Sequence, residues 1–574
     1  MTSLARVRAA ARGALGLAAL ALAACGGGDD GREQGKAPRD GQPQRGGTAV
    51  IAEVTDIANP MPVTWHGGLD ADMMDVMYMG LTAQRWGDGR LVFLHSDRNP
   101  YALSWHHEFV GPDSTAIRYR MRSALKWSDG HPITAHDVVW TYAMYADTAT
   151  ASPRLENVAL IDSVKAENDS TVVFHFKRRY PGMMFDSGLN IAPRHVYQGT
   201  PPAQLMQHPV FSRMQDLVVS GPFKVGAYQS GTQLTLVPNP YFPVRPRLDR
   251  IVIRRIPETT TRFVELQNGT VDLARGAPFD VVAQLRRTRP DLGWERERLR
   301  YWEFVAFNRR TFPPFADREV RRALTLAVNI PEIRRSLRME EFTTHAVGPY
   351  APIFKDLYDP RALPPPPFDA QEAARILESR GWRDTDGDGI REKDGRPLRF
   401  TMITNQGNQR RADVATMLQR YWRAVGVDMR PRILEFGTFQ ELMIGKKEYE
   451  AALGSWGVQL TPDITPLWRP DSPFNIVGFD DAQAQALMDQ ALAAPTEQEA
   501  NPRWRAAAER IVQDHPYLWL YFYDNVTGRS ARLRGVKVDS YGAYQNTWEW
   551  WVSGEARRAP GAAADTGAPK DTAK

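Results

Sequence analysis

Leu125-Lys126-Trp127-Ser128-Asp129-Gly130, with Thr134-Ala135-His136-Asp137-Val138 close behind, is the stretch that decides how this chain folds. In Trp127-Ser128-Asp129-Gly130, a glycine free to take positive φ follows an aspartate able to accept main-chain hydrogen bonds, which describes a tight turn. The tryptophan beside the turn is predicted to cover core. Thr134 then stands as a helix N-cap, and Asp137, three residues on, places an acid in the first turn, where the helix dipole favours it. Upstream, Ala116 to Arg122 alternates apolar and polar side chains, and downstream Ser170 to Phe176 does the same. That period of two predicts half-buried strands. Asp317 to Val328 and Asp369 to Ser379 have helical spacing, and each opens with an aspartate. Short strands between single helices make this an α/β chain.

Outward from that core, the ends of the 574-residue chain read differently. Met1 to Arg12 carries Arg6, Arg8 and Arg12 and no acid, and Gly13 to Ala24 is a short apolar run. Such a start is an export signal, too short to span a bilayer. Leu22-Ala23-Ala24-Cys25 resembles the bacterial lipobox, so 1–25 is expected to be a lipoprotein signal peptide and Cys25 the lipidation site. Cys25 is the sole cysteine, so no internal disulfide supports the fold and a large core must. Residues 26–46 lack large apolar side chains and are expected to be a disordered tether, and 553–574 a disordered tail. The net charge of +5 is spread among interspersed acids and bases. That is a solvated surface and excludes a nucleic-acid footprint.

Ordered motifs along nearly the whole body resemble the peptide- and nickel-binding family of extracellular solute-binding proteins, family 5. They run from Gly47-Thr48-Ala49-Val50 through Leu103-Ser104-Trp105 and Leu125 to Val138. Ser220-Gly221-Pro222-Phe223, Asn239-Pro240-Tyr241, Leu266-Gln267-Asn268-Gly269 and Pro314-Phe315-Ala316-Asp317 follow in order. The resemblance implies a two-lobe periplasmic-binding-protein-like fold with an extra inserted domain, the lobes joined by two crossover strands. The first lobe would comprise 47–78, 218–308 and 513–552, the inserted β-rich domain 79–217, and the second lobe 309–512. It further implies capture of a peptide or peptide-like solute in the cleft between lobes. Delivery to the permease subunits of an ATP-binding-cassette importer would follow, from a monomer lipid-anchored at the bacterial cell envelope, without cofactor. A metal chelate or oligosaccharide in the same scaffold, or a transporter-independent peptide-binding chaperone or receptor, are the rival readings.

Within that resemblance, Gly454-Ser455-Trp456-Gly457-Val458-Gln459 matches a cleft-wall element. Peptide-binding members carry an aspartate three residues after the tryptophan, paired with the peptide's α-ammonium. A buried amine needs a charged acceptor, and Gln459 cannot supply one. Asp463 is the nearest acid able to substitute. Trp456, Asn405, Trp302 on a crossover strand and Asn190 from the inserted domain complete the candidate ligand contacts. Asp384-Thr385-Asp386-Gly387-Asp388-Gly389 looks like the start of a calcium loop, but Gly395 stands where a bidentate glutamate is required, which favours a Gly/Asp turn. His106-His107-Glu108 is no metal cluster, because neighbouring strand residues point to opposite faces. No phosphate-binding loop, Gly-x-Ser-x-Gly or His-Glu-x-x-His motif is present, so no enzyme is expected.

Overall fold

The computed structural model describes residues 42–65, 69–111, 113–458 and 460–553, the side chain of Arg300 excepted. The segment expected to be a signal peptide, Cys25, most of the expected tether, Gln459 and nearly all of the expected tail lie outside the described residues. No helix among the described residues is long and apolar enough to cross a membrane.

The local signals become the elements they predict. Thr134 precedes the helix Ala135–Ala146, and the buried Asp137 carboxylate accepts from the Thr134 N–H (2.8 Å) and from the Arg194 N–H (3.0 Å). One acid thus caps a helix and ties it to a distant segment. Gly130 has φ +95°, Trp127 is fully buried, and Asp129 accepts from the His131 N–H at 3.1 Å. Asp317 and Asp369 cap the helices Arg318–Leu326 and Ala370–Ser379, accepting from Glu319 and Glu372 N–H. Strands form at Ala116–Met121 and Thr171–Phe176; with Ser104–Val110 and Ile161–Asn168 they make a four-stranded antiparallel sheet. In it His107 turns to His95 (2.6 Å) while Glu108 pairs with Arg118 (3.2 Å), the opposite-face alternation of a strand. Asp384 closes its loop on the N–H groups of Gly387 (2.8 Å) and Gly389 (3.0 Å), a Gly/Asp turn.

A long mixed sheet runs through the molecule. At one end lie Asp428–Leu434, Arg399–Asn405 and Ala451–Gly457, the strands of one lobe. At the other lie Leu273–Ala274, Thr48–Glu53, Arg250–Arg255, Gln233–Pro238 and Phe223–Gln229, those of the other lobe. Between them run two strands much longer than the rest, Gly293–Phe307 and Tyr517–Arg529, paired antiparallel from Gly293 opposite Arg529 to Ala306 opposite Tyr517. These are the two crossover strands. Their register slips between Glu297 and Tyr301 and again between Glu303 and Phe304. Such irregularities bend a strand pair and raise its local twist.

The lobe built on Thr48–Glu53 draws on segments far apart in sequence, and buried polar groups hold them together. The Asp272 carboxylate, fully buried, accepts from the Val50 N–H (2.9 Å), the Ser530 hydroxyl (2.9 Å) and Arg532 Nε (2.6 Å). Gly221 sits where the strand Phe223–Gln229 begins, so close under the helix Leu69–Met77 that a Cβ there would strike the Val76 carbonyl oxygen. That close backbone approach is why the strand start is a glycine.

Candidate functional site

A cleft of about 820 Å³ opens where the two lobes and the four-stranded domain meet. Helix Leu69–Met77 contributes Asp72 and Asp75 to one wall, and the residues flanking the four-stranded sheet contribute Arg154, Asp186 and Asn190. Leu460 to Asp463, with Trp504 from the helix Glu497–Gln513, form the facing wall. Several contacts cross the rim, Lys355 with Asp88 (3.9 Å) among them. Trp86 meets Phe354 edge-on at 5.2 Å, and the Arg178 guanidinium donates to the Leu492 carbonyl oxygen.

Acids dominate the cleft electrostatics. Burial pushes Asp72 up to about 6, helped by Glu53 and Glu297 and opposed by Arg275, whose Nη1 lies 2.5 Å away. Burial pushes Asp75 up to about 7, with Arg85 and Arg154 opposing and Asp72 and Asp539 adding to the rise. Asp186 also rises to about 7 through burial, although it accepts from the Tyr180 hydroxyl (2.5 Å) and Asn157 Nδ2 (3.3 Å). Desolvation lifts Asp463 above the usual carboxylate range, against the two hydrogen bonds it accepts from Thr465. In each of these groups the cost of lost water outweighs whatever partners it has.

Of the residues singled out in the sequence, Asn190 and Asp463 line the cleft. Asn190 Nδ2 donates to the Tyr78 carbonyl at 2.7 Å, so part of its capacity serves the fold. Asp463 Oδ1 accepts from both the Thr465 N–H (2.8 Å) and its hydroxyl (2.7 Å). Trp302 is 1% exposed and stacked on Trp519 at 4.6 Å inside an aromatic cluster; it lines not this cleft but a much smaller pocket beside it, with Val458, Thr461 and Asp463. Trp456 is half-buried between Phe304 and Phe474 and likewise is not a cleft-wall residue. Asn405 ends its strand with Oδ1 on Arg411 Nη1 (2.5 Å), part of a network around the crossover strands. Gln459 lies outside the described residues. Sequence reasoning passed over Asp72, Asp75 and Asp186. The usable signal for the first two was their i, i+3 spacing, which puts two acids on one face of a helix whose other residues, Asp70 apart, are Leu, Met, Val and Ala.

The fold and the cleft define a two-lobed binding protein. Residues 98–478 match the sequence profile of the bacterial extracellular solute-binding proteins, family 5, and the chain belongs to that family. It is 26% identical over 550 residues to the oligopeptide-binding protein AppA of Bacillus subtilis, covering 93% of this chain and 97% of the relative. The solved structure of Bacillus subtilis AppA with a nonapeptide superposes with a TM-score of 0.76 at 24% identity, over 89% of this chain and 100% of that one. The periplasmic EDTA-binding protein EppA superposes with a TM-score of 0.80 at 20% identity, over 90% of this chain and 98% of the other.

Proposed function

We propose that this protein captures peptides or peptide-like solutes in the interlobe cleft and hands them to the permease subunits of an ATP-binding-cassette importer, with no chemistry on the ligand. The observation that carries this reading is the cleft itself. At about 820 Å³ it falls in the range of ligand pockets, and its walls mix apolar side chains with charged groups as a ligand of mixed polarity requires. The likeness to oligopeptide-binding AppA supports peptides as cargo. Carboxylates outnumber guanidiniums along the walls, which disfavours an anionic chelate. We assign the first lobe to 47–78, 218–308 and 513–552, the inserted domain to 79–217 and the second lobe to 309–512. A lipid on Cys25 would hold this body at the cell envelope. Native mass spectrometry of the protein purified from its own envelope tests the cargo. Co-purifying peptides are expected; a saccharide or metal chelate in their place overturns the assignment.

A further inference from the structure

Resting on that reading, we infer that the cleft holds a protonated amino group of its ligand on Asp75, on the wall formed by helix Leu69–Met77, and not on the loop after Trp456. Asp463 is the acid of that loop, but one of its oxygens already takes both Thr465 donors, so it braces the turn into the helix Thr465–Trp468. Asp75 is in the opposite condition. Its carboxylate faces the cleft, accepts no hydrogen bond and makes no ion pair within 4 Å among the described residues. It is half-buried, so its neighbours take away part of its water.

A desolvated carboxylate without donors is costly, and an ammonium group supplies both the charge and the donors that it lacks. The basic side chains facing Asp75 are engaged elsewhere. Arg85 donates from Nη1 to the Gln84 carbonyl (2.7 Å) and from Nη2 to the Gln545 carbonyl (2.5 Å). Arg154 lays its guanidinium over the Trp65 ring at 4.9 Å. The remaining charged neighbours are acids. Asp72 stands three residues earlier on the same helix, and Asp539 faces it from the C-terminal segment. Behind Asp72, a single cation, Arg275, is shared among Asp72, Glu297 (3.0 Å) and Glu53 (3.7 Å). This wall is therefore short of positive charge. Tyr101 and Tyr541 also line the cleft here, each near enough for Asp75 to disfavour its ionisation. Tyr101 is buried and stacked on Trp548 (5.9 Å), but the half-buried Tyr541 ring is of the kind that attracts an ammonium group.

The test uses the full-length protein and synthetic libraries of short peptides free of Lys and Arg, with the N-terminus either free or acetylated. A third library is acetylated and carries one Lys. Retained peptides are quantified by mass spectrometry. The wild-type protein is expected to retain the free-amine library at least tenfold better than the acetylated one. Asp75→Asn, which keeps the shape and removes the charge, should erase that preference, and Asp75→Glu should restore part of it. Retention of the lysine library through Asp75 also supports the proposal and assigns the ammonium to a side chain. Equal retention of the free and acetylated libraries by wild type overturns the anchor while leaving peptide binding intact. Loss of the preference in Asp463→Asn but not in Asp75→Asn overturns it in favour of the loop. Retention of no library removes the anchor together with the peptide reading.

Discussion

Glu303, on the crossover strand Gly293–Phe307, is fully buried between two cations. It pairs with Arg411 Nε and with Arg410 Nη2 (2.9 Å); Arg411 reaches on to Asn405 Oδ1 (2.5 Å) and the Ser455 hydroxyl (2.7 Å). Burial works against its charge, yet Arg411 and Arg410 hold the Glu303 carboxyl below its usual range. Removing one member of such a network leaves a buried guanidinium unpaired, so Glu303→Ala is expected to cost about 3–5 kcal/mol in chemical denaturation. The sign of the pH effect follows. With the folded value depressed, the stabilisation is complete above the unfolded glutamate value of about 4.3 and is lost as pH falls through the folded value. The destabilisation caused by Glu303→Gln should therefore shrink in acid, as denaturation series near pH 7 and below pH 4 would measure. None of this was legible in sequence. Glu303 sits in a run of mixed charges, and its partners lie over a hundred residues away.

The elements legible beforehand are those whose signal is local. The helix Ala135–Ala146 and the strands Ala116–Met121 and Thr171–Phe176 came from one cap or one alternation; the helix starts where its cap predicts, and each strand forms within a residue of its predicted ends. The crossover strand Gly293–Phe307 has no such signal, because Glu295, Arg296, Glu297 and Arg298 interrupt any apolar alternation. Partners across the sheet make it a strand: Arg296 Nε meets Asp524 Oδ2 at 2.5 Å, and Glu295 meets Arg529 Nε at 3.2 Å. Only resemblance, not periodicity, foresaw it. The register slips in this pair are where a hinge can bend without breaking the sheet. Saturating ligand is expected to reduce the radius of gyration in X-ray scattering with far-UV circular dichroism unchanged. An unchanged scattering curve would count against closure about these strands.

For the molecule as a whole, the proposed anchoring at the envelope would rest on Cys25. Palmitate label should enter the wild-type protein in cells and be absent from Cys25→Ser, which should be released from the membrane or left unprocessed. A free wild-type protein without label would end the lipoprotein assignment. The sequence by itself determined the α/β class, the capped helices, the turn at Gly130 and membership of a two-lobed binding family, because each depends on neighbouring residues or on motifs kept in order. Tertiary structure alone decided which acids meet in the cleft. Asp75, Asp186 and Asp463 are scattered along the chain and become one electrostatic surface only when the lobes come together. It also decided that Trp302 belongs to an aromatic cluster. Burial and hydrogen-bond demand are properties of what surrounds a side chain after folding, and the order of residues does not state them.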